Sequence, residues 1–514
     1  MSVHLISILI SAAAFLVLGR GVVRRGKGLS FNPLPAFLLM LAAIAFPLVS
    51  PAAGVFSRIA RLLVDFGAGM VLAAAYLRAY REPSRIFWVP GLLGVVLGGL
   101  IYGLTALPAW FSGQACDHRR NDPRHAVLLV ELGPDDQLSE IEPILRKYGA
   151  HAERAFPEVS LDEDEDLAQY YVVHVDTSMA QLLEMRLEKD KENVDSADPD
   201  HAVRLVEPSA GQPRASSADF LADDPYLDRQ WYAAALNYNQ VYEWLQAHPP
   251  VRKAKVAIVD TGVDRPHEDL NEVYAESGGE GDRDQHSHGT HCAGLAGAAT
   301  NNGKGVGSLN WNGEFLTLTG YPALDASGRG SDLTVSRAIV QAAEGGADVI
   351  SMSLGGPAPF GAPKAQVDAI KYARKLGAVV VVAAGNSNMD AKLFSPANIK
   401  GVIVVAAVDE QLNKAVFSNT NTSLGMPIAA PGVNIMSSVP GSQYQSYSGT
   451  SMATPIVAGL AGILKAYNPE LGTKQVWELL SGTGASLPAS GQTGKLIQPE
   501  AAIRSVSEAG VPLP

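Results

Sequence analysis

The chain has 514 residues, enough for more than one domain, and its 52 acidic and 40 basic residues give a formal net charge of −12. Apolar residues make up 47% of the chain and charged residues 18%, which excludes a wholly disordered protein. The acidic balance argues against nucleic acid as the main partner. Because only Cys116 and Cys292 are present, a large apolar core rather than a disulfide framework must stabilise the fold.

The first 112 residues differ from the rest, because they hold nine basic residues and only two acidic ones. Four apolar runs, each about as long as a membrane-crossing helix, predict a multi-span transmembrane region that contacts the lipid bilayer. They lie at 3–19, 34–56, 62–77 and 86–107. No basic residue precedes the first run, so we interpret it as a retained span rather than a signal peptide. Basic residues concentrate after the first and third spans, which predicts a bacterial inner-membrane protein with everything after about residue 112 outside the cytoplasm.

Residues 126–207 have the pattern of a small α+β domain whose elements pack on one face of a sheet. Strands are predicted at 126–132 and 170–175, helices at 138–149 and 179–189, and a last extended stretch at 193–205. Residues 208–223 are rich in Pro, Ser, Ala and Gly, which predicts a linker that is open to cleavage.

From residue 224 to the end, β-branched apolar runs alternate with amphipathic helices. The runs lie at 255–260, 346–354, 378–385 and 401–408. This alternation predicts a doubly wound α/β domain around a parallel sheet. Binding and catalytic sites in such folds lie at the carboxyl ends of the strands.

Four polar side chains stand at predicted strand ends or helix starts. Asp260 ends the run KVAIVD, His288 lies in the glycine-rich segment SHGTHCAG, Asn386 follows VVVVAAG, and Ser451 follows Gly449 and Thr450. Each residue alone is also compatible with an ordinary turn or a structural contact. Together they supply a nucleophile, a base, an orienting carboxylate and oxyanion donors, which predicts nucleophilic acyl transfer.

The segments DTGVD, HGTH and GTSMATP, in the order Asp, His, Ser, resemble the three signature segments of the subtilisin-like serine proteases, or subtilases. SMSLGG and AAGN are also similar to family segments, and the resemblance extends over residues 224–505. It implies a subtilisin-like fold and serine endopeptidase activity, with Ser451 as nucleophile, His288 as base and Asp260 as its orienting partner. It also implies that Asn386 belongs to the oxyanion hole and that His291 is structural.

The resemblance assigns a substrate cleft with two edges. One wall consists of Ser353, Leu354, Gly355 and Gly356, and the opposite edge contains Gly328 and Gly330. A protein or peptide substrate is expected to add between them as an extended β-strand.

Calcium is a further implication of the resemblance. Asp224, Asp269 and Asn302 resemble the family's structural calcium site, for which carboxylate and amide oxygens are suitable ligands. The alternative is a glycine turn flanked by surface acids. Cys292 follows His291 directly, where some family members have cysteine, and is expected to be a free thiol beneath the base or an inert buried residue.

Residues 126–207 resemble a subtilase propeptide, a domain that assists folding and inhibits the enzyme until it is cleaved. The interpretation as a whole is a membrane-anchored serine endopeptidase with an extracytoplasmic catalytic domain at 224–514. Self-cleavage within 208–223 would separate that domain from its anchor, whereas an uncut chain would remain tethered. The alternative function is a membrane sensor or scaffold whose protease-like domain only binds peptides.

Overall fold

The computed structural model describes residues 125–206, 208–212, 218–276 and 279–508. The four predicted membrane spans and Cys116 lie outside these residues. In the part of the chain that the structure describes, no helix has both the length and the apolar character needed to span a bilayer.

The first described domain is a four-stranded antiparallel sheet with the strand order β2-β3-β1-β4. Its strands are β1 (His125–Leu132), β2 (His151–Arg154), β3 (Tyr170–Asp176) and β4 (Val194–Pro199). Its helices are α1 (Leu138–Lys147), α2 (Glu165–Ala168) and α3 (Ala180–Leu187). The predicted elements are present. Strand β2 was not predicted, because its sequence HAER has no apolar alternation typical of a strand.

The two predicted helices pack on one face of this sheet, and the other face is covered by the following domain. Leu128 and Val130 of β1 pack with apolar residues of α1 and α3, as a one-faced sheet requires. Val127 and Leu129, which point the other way, join a core that includes residues of the following α/β domain. The sheet is therefore buried on both faces.

The second domain contains a six-stranded parallel sheet with the strand order β15-β14-β12-β10-β7-β8. The strands are β7 (Ala254–Asp260), β8 (Leu316–Pro322), β10 (Val349–Met352), β12 (Val379–Ala383), β14 (Ile403–Val408) and β15 (Pro427–Pro431). Apolar residues alternate between two cores, one shared with α6 (His288–Gly297) and α9 (Thr450–Tyr467), the other with α7 (Asp332–Glu344) and α8 (Lys364–Lys375). The predicted α/β fold with helices on both sides of a parallel sheet is confirmed.

Shorter elements surround this sheet. The remaining strands are β5 (Ala202–Arg204), β6 (Ser209–Ala210), β9 (Arg329–Ser331), β11 (Gly356–Pro357), β13 (Phe394–Ser395), β16 (Ile435–Val439) and β17 (Gln443–Ser448). The remaining helices are α4 (Trp231–Ala235), α5 (Tyr238–Ala247), α10 (Thr473–Thr483), α11 (Ser490–Thr493) and α12 (Pro499–Glu508).

The segment that joins the two domains is paired to the α/β domain at two places. Strand β5 runs antiparallel to β9, with Val203 opposite Gly330. Strand β6, which lies inside the predicted linker, runs antiparallel to β17, with Ser209 opposite Ser448. Because the backbone groups of β6 find partners on the edge of β17, this part of the linker is ordered extended chain.

Candidate active site

Asp260 and His288 form a buried pair at the carboxyl end of the parallel sheet. The apolar strand β7 ends at Asp260, and α6 begins at His288. The Asp260 Oδ1 atom lies 2.7 Å from His288 Nδ1 and also accepts the Thr261 N–H at 2.8 Å. The two side chains are almost fully excluded from solvent. An imidazole whose Nδ1–H is donated to a carboxylate keeps Nε2 as its basic nitrogen.

Two opposing effects act on the pKa of His288. Burial, the largest single effect, lowers it, but the charge and hydrogen bond of Asp260 together with the contact to Cys292 raise it by more in sum, so that the pKa of His288 lies well above its ordinary value of 6.5. The ring therefore holds a proton more readily than an exposed histidine does.

Asp284, which the sequence analysis missed, fixes the loop in front of His288. Its carboxylate accepts backbone N–H groups from His286, Ser287 and Thr290, each at 2.9 Å, and the hydroxyl of Thr261 at 3.0 Å. Ser287 has a left-handed φ of 91°, a conformation that costs energy in a residue with a side chain. These bonds hold it there. An aspartate three residues before a helix-starting serine is the signal that could have revealed this role.

Ser451 lies in the first turn of α9, where backbone N–H groups have no acceptor within the helix. Its Oγ donates to the carbonyl oxygen of Ser353 at 3.1 Å. Among the described residues, His288 Nε2 has no hydrogen-bond partner. The structure thus brings Asp260 and His288 together, whereas the serine hydroxyl is bonded to a neighbouring strand end.

Asn386 follows β12 and is bonded to the residue before the serine. Its Oδ1 accepts the Thr450 N–H at 2.9 Å and the Thr450 hydroxyl at 2.8 Å. Because the carbonyl end of the amide is fully used, the NH2 group remains the end of Asn386 that can donate to a ligand.

The predicted cleft wall follows β10. Ser353 donates its hydroxyl to the Ser451 carbonyl at 2.8 Å, and Leu354 is buried. Gly355 has a left-handed φ of 154°, and a side-chain carbon there would lie 2.5 Å from the Ser395 carbonyl oxygen, so only glycine fits. Gly356 is paired with Ser395 between β11 and β13.

The opposite edge of the cleft already carries an extended strand from the same chain. Val203 pairs with Gly330, and the Leu205 N–H donates to the Gly328 carbonyl at 2.8 Å. A side-chain carbon at Gly330 would lie 2.3 Å from the Ala323 carbonyl oxygen. The predicted strand addition at this edge is therefore made here by the joining segment.

His291 and Cys292 are buried beside the pair. The His291 ring lies 3.1 Å from the Gln445 carbonyl through Nε2 and stacks on Tyr447, and burial lowers its pKa to about 3. Cys292 is a free thiol whose Sγ lies 3.9 Å from His288 Nδ1, and burial raises its pKa. A protonated thiol in this position packs against the base and is a poor nucleophile.

The residues predicted to hold calcium meet at the loop before Val306. Asp224 accepts the Asn301 N–H at 2.8 Å, while Asp269 accepts the Val306 N–H at 2.8 Å and the Asn302 side-chain amide at 3.2 Å. Burial raises the pKa of Asp224 to about 6 and of Asp269 to about 7, because the contacts shown for both carboxylates come from uncharged groups. Two buried carboxylates to which the described residues are shown to donate only from neutral groups, beside an amide side chain, suit a hard divalent cation.

A serine at a helix N-terminus, a histidine held by an aspartate and a nearby asparagine, all on one edge of a parallel sheet, are the parts of a serine hydrolase site. The subtilase family model matches residues 252–495. A thermophilic serine proteinase from Bacillus sp. strain AK1 is 40% identical, over 52% of this chain and 67% of that protein. Thermitase from Thermoactinomyces vulgaris is 38% identical, over 52% of this chain and 94% of thermitase.

A solved structure of a protease from Pseudoalteromonas arctica is 29% identical and covers 55% of this chain and 99% of that chain, with a TM-score of 0.48. The coverage of the two curated relatives and their identity assign the family. The chain belongs to the subtilases and is a subtilisin-like serine protease.

Proposed function

We propose that the protein is a membrane-anchored endopeptidase that cleaves extended protein segments with Ser451, His288 and Asp260. The 2.7 Å contact between Asp260 and His288 at the sheet edge is the observation that carries this proposal. Ser451 Oγ attacks the peptide carbonyl carbon while His288 Nε2 takes its proton, and the same imidazole then returns the proton to the leaving amine. Asp260 holds the ring and stabilises the imidazolium.

In the same proposal, Asn386 and the Ser451 N–H stabilise the tetrahedral oxyanion. The amide of Asn386, whose oxygen is bonded to Thr450, and the Ser451 N–H in the first turn of α9 are the donors that support this assignment. Ser353, Leu354, Gly355 and Gly356 line one side of the bound strand, and Gly328 and Gly330 line the other.

The domain at 126–207 acts in this proposal as an inhibitory propeptide. Its carboxyl-terminal strand β5 occupies the β9 edge, and the chain reaches β17 only at Ser209. These two pairings support a cut in the sequence interval from Leu205 to Ser209. We expect self-cleavage in that interval, at or just before the start of the predicted linker.

Membrane attachment and calcium complete the proposal. The apolar runs and the biased basic loops of residues 1–112 support an inner-membrane anchor with the protease outside the cytoplasm. Asp224, Asp269 and Asn302 would hold Ca²⁺, which would neutralise their buried charge and fix the loop around them.

The proposal is tested by intact-mass measurement and N-terminal sequencing of the full chain beside Ser451→Ala, in calcium and in chelator. We expect only the wild type to be cut between Leu205 and Ser209, and Ser481→Ala on α10 to be cut like the wild type. Cutting of Ser451→Ala by itself would refute the nucleophile. An uncut wild type that still hydrolyses peptides would refute self-processing, and one that hydrolyses nothing would favour a peptide-binding scaffold.

A further inference from the structure

A group of three titratable side chains joins the propeptide-like domain to the cleft edge. Asp200 and His201 lie between β4 and β5, and Asp332 begins α7 directly after β9. Asp200 Oδ1 accepts the Leu333 N–H at 2.9 Å, and Asp332 Oδ2 lies 3.1 Å from His201 Nδ1. The Asp332 N–H also donates to the His201 carbonyl at 3.0 Å. We call Asp200, His201 and Asp332 the latch.

The latch contains two buried carboxylates, those of Asp200 and Asp332, but only one imidazole, that of His201. Asp200 is 0% exposed and Asp332 is 3% exposed. Among the described residues, the second carboxylate oxygen of Asp200, Oδ2, has no hydrogen-bond partner. His201 and the N-terminus of α7 can balance one negative charge, and a second buried charge remains costly. Protonation of Asp200 removes that cost.

Among the described residues, no cation other than His201 is shown bonded to the latch. Gln366 of α8 donates its amide to Asp332 at 2.8 Å and is neutral. The nearby charged groups are Asp198 on β4, Glu184 on α3, Glu188 directly after α3, and Lys364 on α8. Lys364 is already bonded to Glu131 at 2.6 Å and to Asp368 at 2.8 Å.

Asp200, Asp332 and His201 all have raised pKa values in the closed latch. Burial raises the pKa of Asp200 to about 7 from an ordinary value of 3.8, and burial also raises the pKa of Asp332. The hydrogen bond that the His201 ring donates to the Asp332 carboxylate raises the pKa of His201 above 6.5. Burial raises the pKa of Asp198, Glu184 and Glu131 as well. The closed latch therefore binds more protons than the open one.

We propose that the latch makes the hold of the propeptide-like domain on the cleft depend on pH, closed in acid and progressively opened as the pH rises past neutrality. This inference rests on the proposed inhibitory role of residues 126–207 and adds its regulation. The pH around the catalytic domain would then set how readily the cleft edge becomes available to substrate.

The sign follows from the protons bound in each state. Asp200 favours the closed latch below its open-state pKa, and that advantage is lost between pH 3.8 and about 7. His201 favours the closed latch fully below pH 6.5 and loses this effect as the pH passes its raised pKa. From Asp200 alone, the ratio of open to closed latch should rise about tenfold between pH 6 and pH 8, and His201 adds to this rise.

The test is amide hydrogen exchange on the full-length Ser451→Ala chain at pH 6, 7 and 8, corrected for intrinsic exchange. Protection of residues 329–333 should fall at least about tenfold from pH 6 to pH 8. Asp200→Asn should be more protected at pH 8 and should lose most of this slope. Asp195→Asn, an exposed aspartate on the same strand β4, should keep the full slope.

If Asp200→Asn does not fold, His201→Gln provides a second variant. It should remove only the part of the pH dependence of protection that lies above pH 6.5. Amides of the central strand β10 report whether each variant keeps its core. Protection of 329–333 that does not change with pH, or an unchanged slope in Asp200→Asn or in His201→Gln, would overturn the proposal. The measurement needs no proteolysis, so its failure is distinct from a failure of the proposed activity.

Discussion

The catalytic pair and the candidate calcium loop both bury carboxylates, but they balance the charge differently. At the first site, Asp260 faces an imidazole 2.7 Å away, so the chain itself supplies the counter-charge. At the second, the donors shown among the described residues for Asp224 and Asp269 are neutral groups of Asn301, Asn302 and Val306. A carboxylate paired with an imidazole is suited to proton transfer, whereas buried carboxylates without a cationic partner are stabilised most by a bound cation. Perturbing the first site should change rate, and perturbing the second should change stability.

The largest effect is expected from Asp260→Asn. The amide keeps the shape of the carboxylate but can favour the wrong imidazole tautomer and cannot stabilise the imidazolium, so kcat should fall about 10⁴-fold. The melting temperature should change little. Peptide hydrolysis measured beside Asp228→Asn, an exposed control in the turn Leu227–Arg229, tests this expectation. A kcat within tenfold of the wild type would show that Asp260 does not serve the base.

Asn386→Ala sharpens the same contrast, because it removes a neutral donor and leaves the charged pair intact. We expect kcat to fall about 10²–10³-fold, a range known from subtilisin itself, with KM nearly unchanged. Thr450→Val removes one of the two bonds that orient Asn386 and should cost less. An equal loss in both variants would mean that Asn386 acts only by supporting the start of α9.

Removing calcium should affect stability and spare the rate. With Ca²⁺ at about 100 times its Kd, binding contributes about 2.7 kcal/mol to the free energy of unfolding. Chelator should therefore lower the melting temperature of the Ser451→Ala chain, which cannot digest itself. Asp269→Asn should abolish most of this response, whereas Glu272→Gln, an exposed acid paired with Lys304 at 3.1 Å, should retain it. A melting temperature that chelator does not change would refute the calcium site.

Local patterns predicted the parts of the site whose positions follow from one strand or one helix. Asp260 ends an apolar strand, and Ser451 follows a glycine at a helix start. The position of each residue in the fold can therefore be predicted from the residues around it in the sequence. The contact between His201 and Asp332 joins residues 131 positions apart and depends on how two domains meet. The pairing of β6 with β17 is of the same kind, because a two-residue strand has no periodicity to read.

The pH dependence of kcat/KM is the smallest of the expected effects, and it tests the charge balance at His288 most directly. Only the neutral imidazole can accept the serine proton, so kcat/KM should fall tenfold per pH unit below the pKa of His288. Burial lowers that pKa, but Asp260 and Cys292 together raise it by more, which places the midpoint of the acidic limb above 6.5. Opening of the latch also raises activity with pH, so the profile is measured in Asp200→Asn as well. The limb should persist there, because its origin is the pair and not the propeptide contact. A midpoint at or below 6.5 in both proteins would mean that burial outweighs Asp260, and the two carboxylate sites would then differ less than their contacts indicate.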